Sequence, residues 1–450
     1  MDNKLSVESV KTQQNAGGMS NQRQFGWSAM QRADDPDVNR ANKQLKQDIA
    51  NGANGVAIVF AGAHNAYGFG LPPEPDTIEK LFDGVALDGL HLRLENHSHG
   101  RPITDTFITY LQKSRIDLNR TQITFGTDPT ASLATTGRLK MSIAALKASL
   151  PQSMSAFFSS GLPGVVLEAD GRPYHNAGAT EAQEIGAMLS VAVSHLKMIE
   201  DGRHHILYAL PHIGFATSLD QDPVLGKAKL RALRLLWHRI QKGLGVENPF
   251  PAIIHVETSM RMMSAHDPLL NISRCNLASY AAISSGVVSL NVLPFSMPLG
   301  LADSFARRQA LLSQLILAEE NAATSVFDAS ENSENSAPAD MLVDAAWEEY
   351  QRFERAGGIL ETLIDGSLEL RFEEARDLRT TAFLKGERTI LGVTKARLQN
   401  ELPVCGIYDQ KPSQFVADGI VHCKPLTFKR LETCYEEAAA IAPAGAALVV

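Results

Sequence analysis

Residues 164–189 read GVVLEADGRPYHNAGATEAQEIGAML, an apolar run followed by a histidine and then by a helical pattern. The run Gly164–Glu168 is short and rich in valine and leucine, which is typical of a buried parallel strand. Thr180 and Gln183 have the spacing of a capping box, which starts a helix. The stretch therefore predicts a strand-to-helix unit that presents Tyr174 and His175 at its mouth, where α/β enzymes keep their chemistry.

The same unit recurs along the chain. Strands are predicted at Val56–Phe60, Leu90–Glu95, Gln122–Phe125, Gly164–Glu168, Ile206–Leu210, Ala252–Glu257, Val287–Val292 and Ser325–Phe327. Helices are predicted at Val38–Ala50, Ile103–Arg115, Thr136–Leu150, Glu181–Asp201, Pro223–Gly243, Leu269–Ser285, Ser304–Asn321 and Asp340–Ala356. Eight such units predict an α/β fold, a (β/α)8 TIM-type barrel, with a doubly wound open sheet as the alternative.

Three regions are expected in the 450 residues. Residues 1–25 are polar and predict a flexible tail. Residues 26–357 hold the strand-helix units and predict the barrel, with a polar low-complexity loop at 328–337. Residues 358–450 predict a helical and irregular C-terminal extension. Within it, residues 358–395 predict further helix and turn, while residues 396–450 have weak periodicity and are expected to pack on the barrel or on a partner.

Composition excludes several classes of protein. The net charge is −8 and the pI is about 5.9, which argues against a nucleic-acid binder. No apolar run reaches the roughly 18 residues of a membrane-spanning helix. The cysteines have no CxxC spacing, so we expect reduced thiols in a cytoplasmic protein. They are Cys275, Cys405, Cys423 and Cys434.

Alternation along the strands predicts a polar barrel interior. In Leu90–Glu95 the leucines must face the helices, which leaves the other side chains to face the lumen. The same reasoning gives a set of lumen residues: His91, Arg93, Glu95, Gln122, Thr124, Glu168, His255, Glu257, Ser289 and Asn291. Two explanations remain open, a polar ligand along the axis or a buried network such as Arg93 with Glu95, Glu168 or Glu257. The bulk and charge of these side chains favour the network, because an unpaired buried charge costs several kcal/mol.

Several segments together resemble the adenosylcobalamin-dependent methylmalonyl-CoA mutase family, in order and spacing, over about residues 26–395. They are Tyr174-His175 with Ala177-Gly178-Ala179-Thr180-x-x-Gln183-Glu184, Lys229-x-x-Ala232-x-x-Leu235-Leu236-Trp237, His255-x-x-Thr258-Ser259, Ala265-x-Asp267-Pro268-x-x-Asn271 and Gln314–Glu320. The resemblance implies a (β/α)8 barrel whose lumen admits the pantetheine arm of coenzyme A. It also implies a flavodoxin-like domain that presents cobalamin for a radical rearrangement.

The sequence departs from the catalytic members of that family. By the resemblance, Arg32 stands where they have a tyrosine that assists homolysis, and Glu257 where they have a substrate-facing glutamine. The acidic pair that contacts the cofactor ribose falls at Ser296-Met297. Residues 124–136 contain no arginine for a substrate carboxylate. The chain also has no Asp-x-His-x-x-Gly cobalamin motif, so adenosylcobalamin is not expected to be bound by a domain of this chain.

This pattern resembles the small, non-catalytic subunit of heterodimeric mutases, shortened to its barrel. Tyr174 and His175 would then be retained without their working partners. The implied partner is a catalytic large subunit, and the chain is expected to be a dimer. An alternative is an active acyl-CoA mutase subunit that uses cobalamin on a separate protein.

Other signals are weaker. His97-Ser98-His99 with His175, His212, His255 and Asp328 imitates the ligands of a metal-dependent hydrolase barrel, but the fourth strand lacks the expected lysine. No metal site is predicted. His255 and Glu257 suit either a site or a buried pair, and the pair is favoured. Lys227, Lys229, Arg231 and Arg234 are interpreted as a solvated helix face.

Overall fold

The computed structural model describes residues 26–95, 101–114, 116–117, 120–161, 163–320, 337–397 and 418–441. Its strands are β1 Ser28–Ala33, β2 Gly55–Val59, β3 His91–Glu95, β4 Gln122–Thr127, β5 Arg138–Leu139, β6 Val165–Asp170, β7 Ile213–Leu219, β8 Ile253–Thr258, β9 Ser289–Asn291 and β10 Ile420–Val421. Eight parallel strands close a barrel in the order β1-β2-β3-β4-β6-β7-β8-β9, and β9 pairs with β1. The predicted α/β barrel is confirmed.

Helices follow the strands and surround them. They are α1 Val38–Ala50, α2 Thr77–Leu81, α3 Arg101–Lys113, α4 Pro129–Thr136, α5 Ile143–Ser160, α6 Arg172–Ala177, α7 Glu181–Asp201, α8 Ile206–Ala209, α9 Pro223–Gly243, α10 Leu270–Ser284, α11 Ser304–Glu319, α12 Ala337–Arg355, α13 Ile359–Ile364, α14 Ser367–Leu384 and α15 Leu431–Ile441. None of the helices in these described segments has the length and apolarity needed to cross a lipid bilayer.

Of the eight predicted strands, one is wrong and one lies outside the described residues. Residues 206–210 form α8 and the start of a 3₁₀ turn, and the strand begins at Ile213. A short apolar run fits a helix as well as a strand, so periodicity could not separate them. The predicted strand Ser325–Phe327 lies outside the described residues, as do residues 1–25 and most of the 328–337 loop.

The barrel strand that was not predicted is β1, which precedes all the predicted strands in the sequence. Its sequence, SAMQRA, does not alternate in polarity, yet every residue in it is buried. Gln31 and Arg32 are satisfied by partners from distant parts of the chain, which a local pattern does not reveal. The predicted helix Thr136–Leu150 is also corrected, because α4 ends at Thr136 with Gly137 in the left-handed region and α5 starts at Ile143.

The outer face of the barrel strands is apolar, as predicted from their alternation. Leu92 and Leu94 of β3 belong to the same buried cluster as Phe125 of β4. The ring of Phe125 packs against Phe107 of α3 at 6.0 Å and against Phe157 of α5 at 5.0 Å, measured between centroids. The hydrophobic core therefore lies between the barrel and its helices, which leaves the interior to the polar side chains.

The end of the described chain lies across the mouth of the barrel. We call residues 418–431 the C-terminal strap. Its strand β10 pairs antiparallel with β5, and the Leu426 amide donates to the Ala134 carbonyl at 2.8 Å. Farther along, the Leu431 amide donates to the carbonyl of Arg261, which follows β8. In its described part, the C-terminal strap thus packs on the barrel.

Candidate functional site

The barrel interior is crossed by Arg93 of β3. Its guanidinium donates two hydrogen bonds to Glu168 of β6, at 2.8 and 2.6 Å, and a third to Glu95 at 2.6 Å. Strand β4 lies between β3 and β6. Its Gly126, which lies beneath the Arg93–Glu168 pair, has a positive φ of 55°. A Cβ there would lie 2.9 Å from the Leu94 carbonyl oxygen. The predicted pairing of Arg93 with Glu95 and Glu168 is confirmed.

A second arginine, Arg172, continues this network. It donates to both oxygens of Glu95 at 2.8 Å and to Asp170 at 2.9 Å. The other Asp170 oxygen lies 2.7 Å from Nε2 of His64, which comes from the loop after β2. Arg172 and Asp170 were missed in the sequence because the strand was ended at Glu168. Extending the alternation by two residues would have placed Asp170 on the interior face.

A third arginine, Arg32 of β1, pairs with Glu257 of β8 at 3.2 Å and with Asp34 at 2.8 Å. Glu257 also accepts from Asn291 at 2.9 Å and from the Tyr67 hydroxyl at 3.2 Å. Since β9 lies between β8 and β1, this group also spans the interior. The predicted pair of His255 with Glu257 is not formed, because Glu257 reaches toward Arg32 instead.

These groups balance most of their charge among themselves. Arg32, Arg93 and Arg172 face Glu95, Glu168, Asp170 and Glu257, and each is at most 2% exposed. Burial opposes the charge on Arg172, but Asp170 and Glu95 outweigh it and raise the pKa of the guanidinium well above its ordinary value. Burial likewise opposes the charge on Arg93, and Glu168 and Glu95 raise the pKa of that group. Both guanidinium groups therefore stay protonated in the barrel interior.

The two interior histidines contact hydroxyl groups of neighbouring strands. His91 Nε2 lies 2.9 Å from the Thr124 hydroxyl, and His255 Nδ1 lies 2.8 Å from the Ser289 hydroxyl. Burial, followed by the charges of Arg93 and Arg172, holds the pKa of His255 well below its usual range. His255 is therefore uncharged at pH 7 and fills space in the barrel interior.

His175 lies on α6, just after β6, and both of its ring nitrogens are occupied. Nδ1 is 3.0 Å from Glu184, while Nε2 is 2.8 Å from the Ser259 hydroxyl and 3.3 Å from Asp220. The side chain is 1% exposed. The capping box is formed, with mutual bonds between Thr180 and Gln183. The sequence thus placed His175 correctly, but did not reveal that neighbours from β8 and α7 use its nitrogens.

Glu184, the partner of His175, is itself held by Lys229 of α9 at 2.6 Å and by Thr217 at 2.6 Å. Burial opposes ionisation, but Lys229 and His175 outweigh it and lower the pKa of Glu184 to about 2. Lys229 is 2% exposed, so its interpretation as part of a solvated face was wrong. The available signal was the helical spacing, because Leu225 and Leu233, one turn away on either side of Lys229, are apolar.

Tyr174 packs its ring against Phe372 of α14 at 6.1 Å and is fully buried. Its hydroxyl has no hydrogen-bond partner among the described residues. Burial, followed by the charges of Asp128 and Asp170, raises the pKa of the hydroxyl well above 10. Tyr174 thus stays protonated and makes apolar contacts.

Arginines from two parts of the chain hold the carbonyl groups of the Tyr174–Thr180 segment. Arg261 donates to the carbonyls of His175 and Ala179 at 3.0 and 2.9 Å. Two arginines of α14 donate to the next carbonyls, Arg376 to Ala177 and Arg379 to Gly178 and Ala179. The segment is therefore fixed in position by the loop after β8 and by the C-terminal helices, neither of which the local sequence indicated.

An open cleft of about 770 Å³ lies at the mouth of the barrel, beside this segment. Its walls include Tyr67 and Phe69 of the loop after β2, Met297, and Phe428 of the C-terminal strap. Pro173 and Asn176 line it, whereas His175 between them does not. The cleft therefore adjoins the Tyr174–Thr180 segment without access to its histidine.

The metal-dependent hydrolase alternative is not supported. His212 bonds through Nδ1 to the carbonyl of Gly164, which precedes β6, at the opposite end of the barrel from His175. His255 contacts Ser289 and His175 contacts Glu184, so the three histidines do not converge. His97, His99 and Asp328 lie outside the described residues.

Comparison with known proteins agrees with this architecture. The sequence model of the family described as methylmalonyl-CoA mutase matches residues 74–422. A methylmalonyl-CoA mutase small subunit from Streptomyces virginiae is 31% identical over 381 residues, which cover 84% of this chain and 60% of that protein. The small subunit from Propionibacterium freudenreichii subsp. shermanii is 33% identical over 46% of this chain and 33% of its own length.

A protein named methylmalonyl-CoA mutase from Rhizobium meliloti is 26% identical over 419 residues, covering 84% of this chain and 56% of that protein. The chain thus spans about 60% or less of the length of these relatives. The family match covers most of the barrel and reaches into the C-terminal strap, and it includes the Tyr174–Thr180 segment. The chain therefore belongs to the methylmalonyl-CoA mutase family.

Proposed function

We propose that this chain is a barrel subunit of a methylmalonyl-CoA mutase-type isomerase that performs no rearrangement itself and works as the partner of a catalytic mutase chain. The observation that carries the proposal is the filled interior. The pairs Arg93–Glu168, Arg172–Glu95 and Arg32–Glu257 occupy the axis along which, by the resemblance, the pantetheine arm of the substrate would pass.

Opening that axis would be expensive. Each guanidinium is buried between carboxylates, and removing one partner of such a pair costs about 3–5 kcal/mol. A ligand threading the barrel would have to separate several pairs and replace their hydrogen bonds. The uncharged pantetheine chain offers no formal charges with which to do so. The interior is therefore suited to stabilising the barrel rather than to admitting a substrate.

The groups next to the cleft support the same proposal. His175 has no free nitrogen, because Glu184 and Ser259 occupy both. Of the residues that line the cleft, His64 is the one with an imidazole, and its Nε2 contacts Asp170 rather than the open volume. Tyr67 and Phe428 of the C-terminal strap form walls of the cleft at the barrel mouth. The residues present do not fit cobalamin.

The relatives named small subunits support a partner of mutase type. The test is co-expression of the tagged chain with a full-length mutase chain of the same genome, followed by purification and size analysis. We expect a stoichiometric complex that turns over methylmalonyl-CoA with adenosylcobalamin. An unchanged single species that ignores the mutase chain would overturn the partnership.

A second experiment tests whether this chain performs any rearrangement itself. The complex is remade with a catalytically inactive variant of the mutase partner, and turnover of methylmalonyl-CoA is measured with the cofactor present. We expect no turnover, and no binding of acyl-CoA to this chain alone by calorimetry. Turnover in that complex would overturn the non-catalytic part of the proposal and leave the partnership standing.

The alternative of an active subunit that uses cobalamin on a separate protein is favoured by one observation. Asn176 lines the cleft, and its buried side-chain oxygen has no hydrogen-bond partner among the described residues. A ligand that donates a hydrogen bond would satisfy it. Acyl-CoA binding by the isolated chain that is lost in Asn176→Ala would support this alternative, while Thr136→Ala, elsewhere on the cleft wall, serves as the matched control.

A further inference from the structure

The C-terminal strap is fastened at its far end by a cluster of ionisable side chains. His266 lies in the loop after β8, and Glu432 and Glu436 lie one helical turn apart on α15. His266 Nε2 is 2.5 Å from Glu436 Oε1 and 3.6 Å from Glu432 Oε1. One nitrogen and two carboxylate oxygens from distant parts of the sequence thus meet within 4.8 Å of one another.

The donor set is organised before any ligand arrives. Glu432 is 4% exposed at its side chain, and its Oε2 accepts from the Ala265 amide at 2.7 Å and from Arg430 at 3.2 Å. These bonds fix the carboxylate so that Oε1 faces His266. Donor atoms of a tetrahedral zinc site lie about 3.3–3.5 Å apart. The Glu432–His266 distance fits, and Glu436, 40% exposed at its side chain, is free to move outward by about 1 Å.

The protein itself already places a positive charge at this point. The guanidinium of Arg397 lies 3.0 Å from His266 Nε2, 3.1 Å from its Nδ1 and 3.6 Å from Glu436. The side chain of Arg397 is 53% exposed, so a competing cation can displace it at small cost. Arg397 lies at the edge of the cluster formed by the histidine and the two glutamates. Its position indicates that a cation is stabilised there.

A second histidine-carboxylate cluster in the molecule provides the contrast. His64, Glu95 and Asp170 also lie within 4.8 Å of one another. There the carboxylates are fully buried and Arg172 donates to each of them. A metal ion would have to displace a buried guanidinium from the barrel interior. Of these two clusters among the described residues, the one beside the strap is thus the one available for a metal.

We propose that His266, Glu432 and Glu436 bind a divalent transition-metal ion, best matched by Zn²⁺, and that the ion clamps the C-terminal strap over the barrel mouth. Histidine nitrogen and carboxylate oxygen are normal ligands of zinc, and a water completes a site with three protein ligands. Since Phe428 of the strap forms a wall of the cleft, metal binding would hold that wall in place. The inference does not depend on the proposed function.

The test is calorimetric titration of the full metal-free chain with ZnCl₂. We expect one equivalent to bind, with at least a tenfold loss of affinity in His266→Ala and in Glu436→Gln. Glu437→Gln is the matched control, because Glu437 is the next residue on α15 but pairs with Lys429. Arg397→Gln is expected to tighten binding several-fold, since it removes the competing cation.

Binding that survives unchanged in both His266→Ala and Glu436→Gln is adventitious and would overturn the site, as would the absence of binding in the parent chain. Glu436 is partly exposed, so its variant keeps the test valid if His266→Ala does not fold. The clamp itself is tested by hydrogen exchange at residues 424–431. Zn²⁺ should slow exchange there in the parent chain and not in Glu436→Gln; equal rates with and without Zn²⁺ in the parent chain would overturn the clamp.

Discussion

The barrel interior and the cluster around His175 are both buried and polar, but they balance charge in different ways. In the interior, arginines lie between carboxylates, and each guanidinium donates to more than one group. Around His175, a chain of contacts runs from Lys229 through Glu184 to an imidazole and then to a serine hydroxyl. The first arrangement fills space with permanent charges, whereas the second fixes a titratable ring.

The difference separates residue type from residue role. Tyr174 and His175 have the identities that the family resemblance gives to working residues, yet their polar atoms are enclosed by this chain. Arg32 and Glu257 have changed identity, and they contact each other across the interior. A retained histidine therefore indicates descent, while the partners of its nitrogens decide whether it has a free atom for chemistry.

The largest expected effect is in the interior. Arg172→Met leaves Glu95 and Asp170 without a shared cation in a buried site, and we expect the free energy of unfolding to fall by about 3–5 kcal/mol. Urea unfolding followed by circular dichroism measures it. Arg101→Met is the control, because Arg101 forms an exposed pair with Asp105 and its loss should change stability by less than about 0.5 kcal/mol. Equal effects of the two variants would contradict a tightly coupled interior.

A pH effect of similar size is expected behind the Tyr174–Thr180 segment. Burial lowers the pKa of His195 of α7 from 6.5 to about 4. The unfolded chain therefore takes up this proton at higher pH than the folded chain does. Its contribution is present above about pH 6.5 and is lost as the pH falls toward 4, by about 3 kcal/mol in total.

His195→Leu should reduce that acid-induced loss of stability, because both ring nitrogens lack hydrogen-bond partners among the described residues. The measurement is the midpoint of urea unfolding at several pH values between 4 and 7. His238→Leu, the same change at an exposed position of α9, controls for the substitution. Parallel pH curves for the parent chain and His195→Leu would contradict the assignment.

An intermediate effect is expected at the junction between the interior and the cleft. Glu257→Gln restores the residue type that the resemblance assigns to catalytic members, but it removes the negative charge beside Arg32. The amide can still accept one hydrogen bond, so we expect a loss of about 2 kcal/mol in the free energy of unfolding. Thermal unfolding measures it. A more stable variant would mean that Asp34 alone balances Arg32.

The smallest effect is expected at Tyr174. Its hydroxyl is buried without a hydrogen bond among the described residues, so Tyr174→Phe should change stability by less than about 1 kcal/mol and can raise it. Tyr110→Phe, at a partly exposed position of α3, is the comparison. A loss of 2 kcal/mol or more on Tyr174→Phe would indicate a bound partner for the hydroxyl and would reopen a functional role for this residue.

The fold was predictable because a parallel strand that is covered by helices and flanked by other strands has a short apolar run in its sequence. Helices α1, α7 and α9 were predicted with the bounds that the structure has. Strand β1 was not, because Gln31 and Arg32 interrupt its apolar pattern, and two of the groups that stabilise them, the Arg307 carbonyl and Glu257, lie far along the chain. Local periodicity does not contain such contacts.

The candidate site was also predictable only as far as the local sequence pattern reaches. Alternation along β3 placed Arg93 and Glu95 inside, and charge pairing then required the acidic partners. Nothing in the local sequence connected His175 with Ser259 or Asp220, because those contacts depend on how β6, β7 and β8 lie side by side. The strap could not be placed either, since its attachment to β5 involves two residues on each side.

The closure of the barrel between β1 and β9 has a consequence for how the chain is made. Ser28 pairs with Ser289, so the first strand of the barrel finds one of its two neighbours only after β9 has emerged. At a synthesis rate of about 5–20 residues per second, β1 waits on the order of ten seconds or more with one edge unpaired. During that time the buried charge of Arg32 has no Glu257 to meet. The barrel can therefore close only after β9 has emerged, and we expect premature release of the nascent chain to yield an open, aggregation-prone sheet.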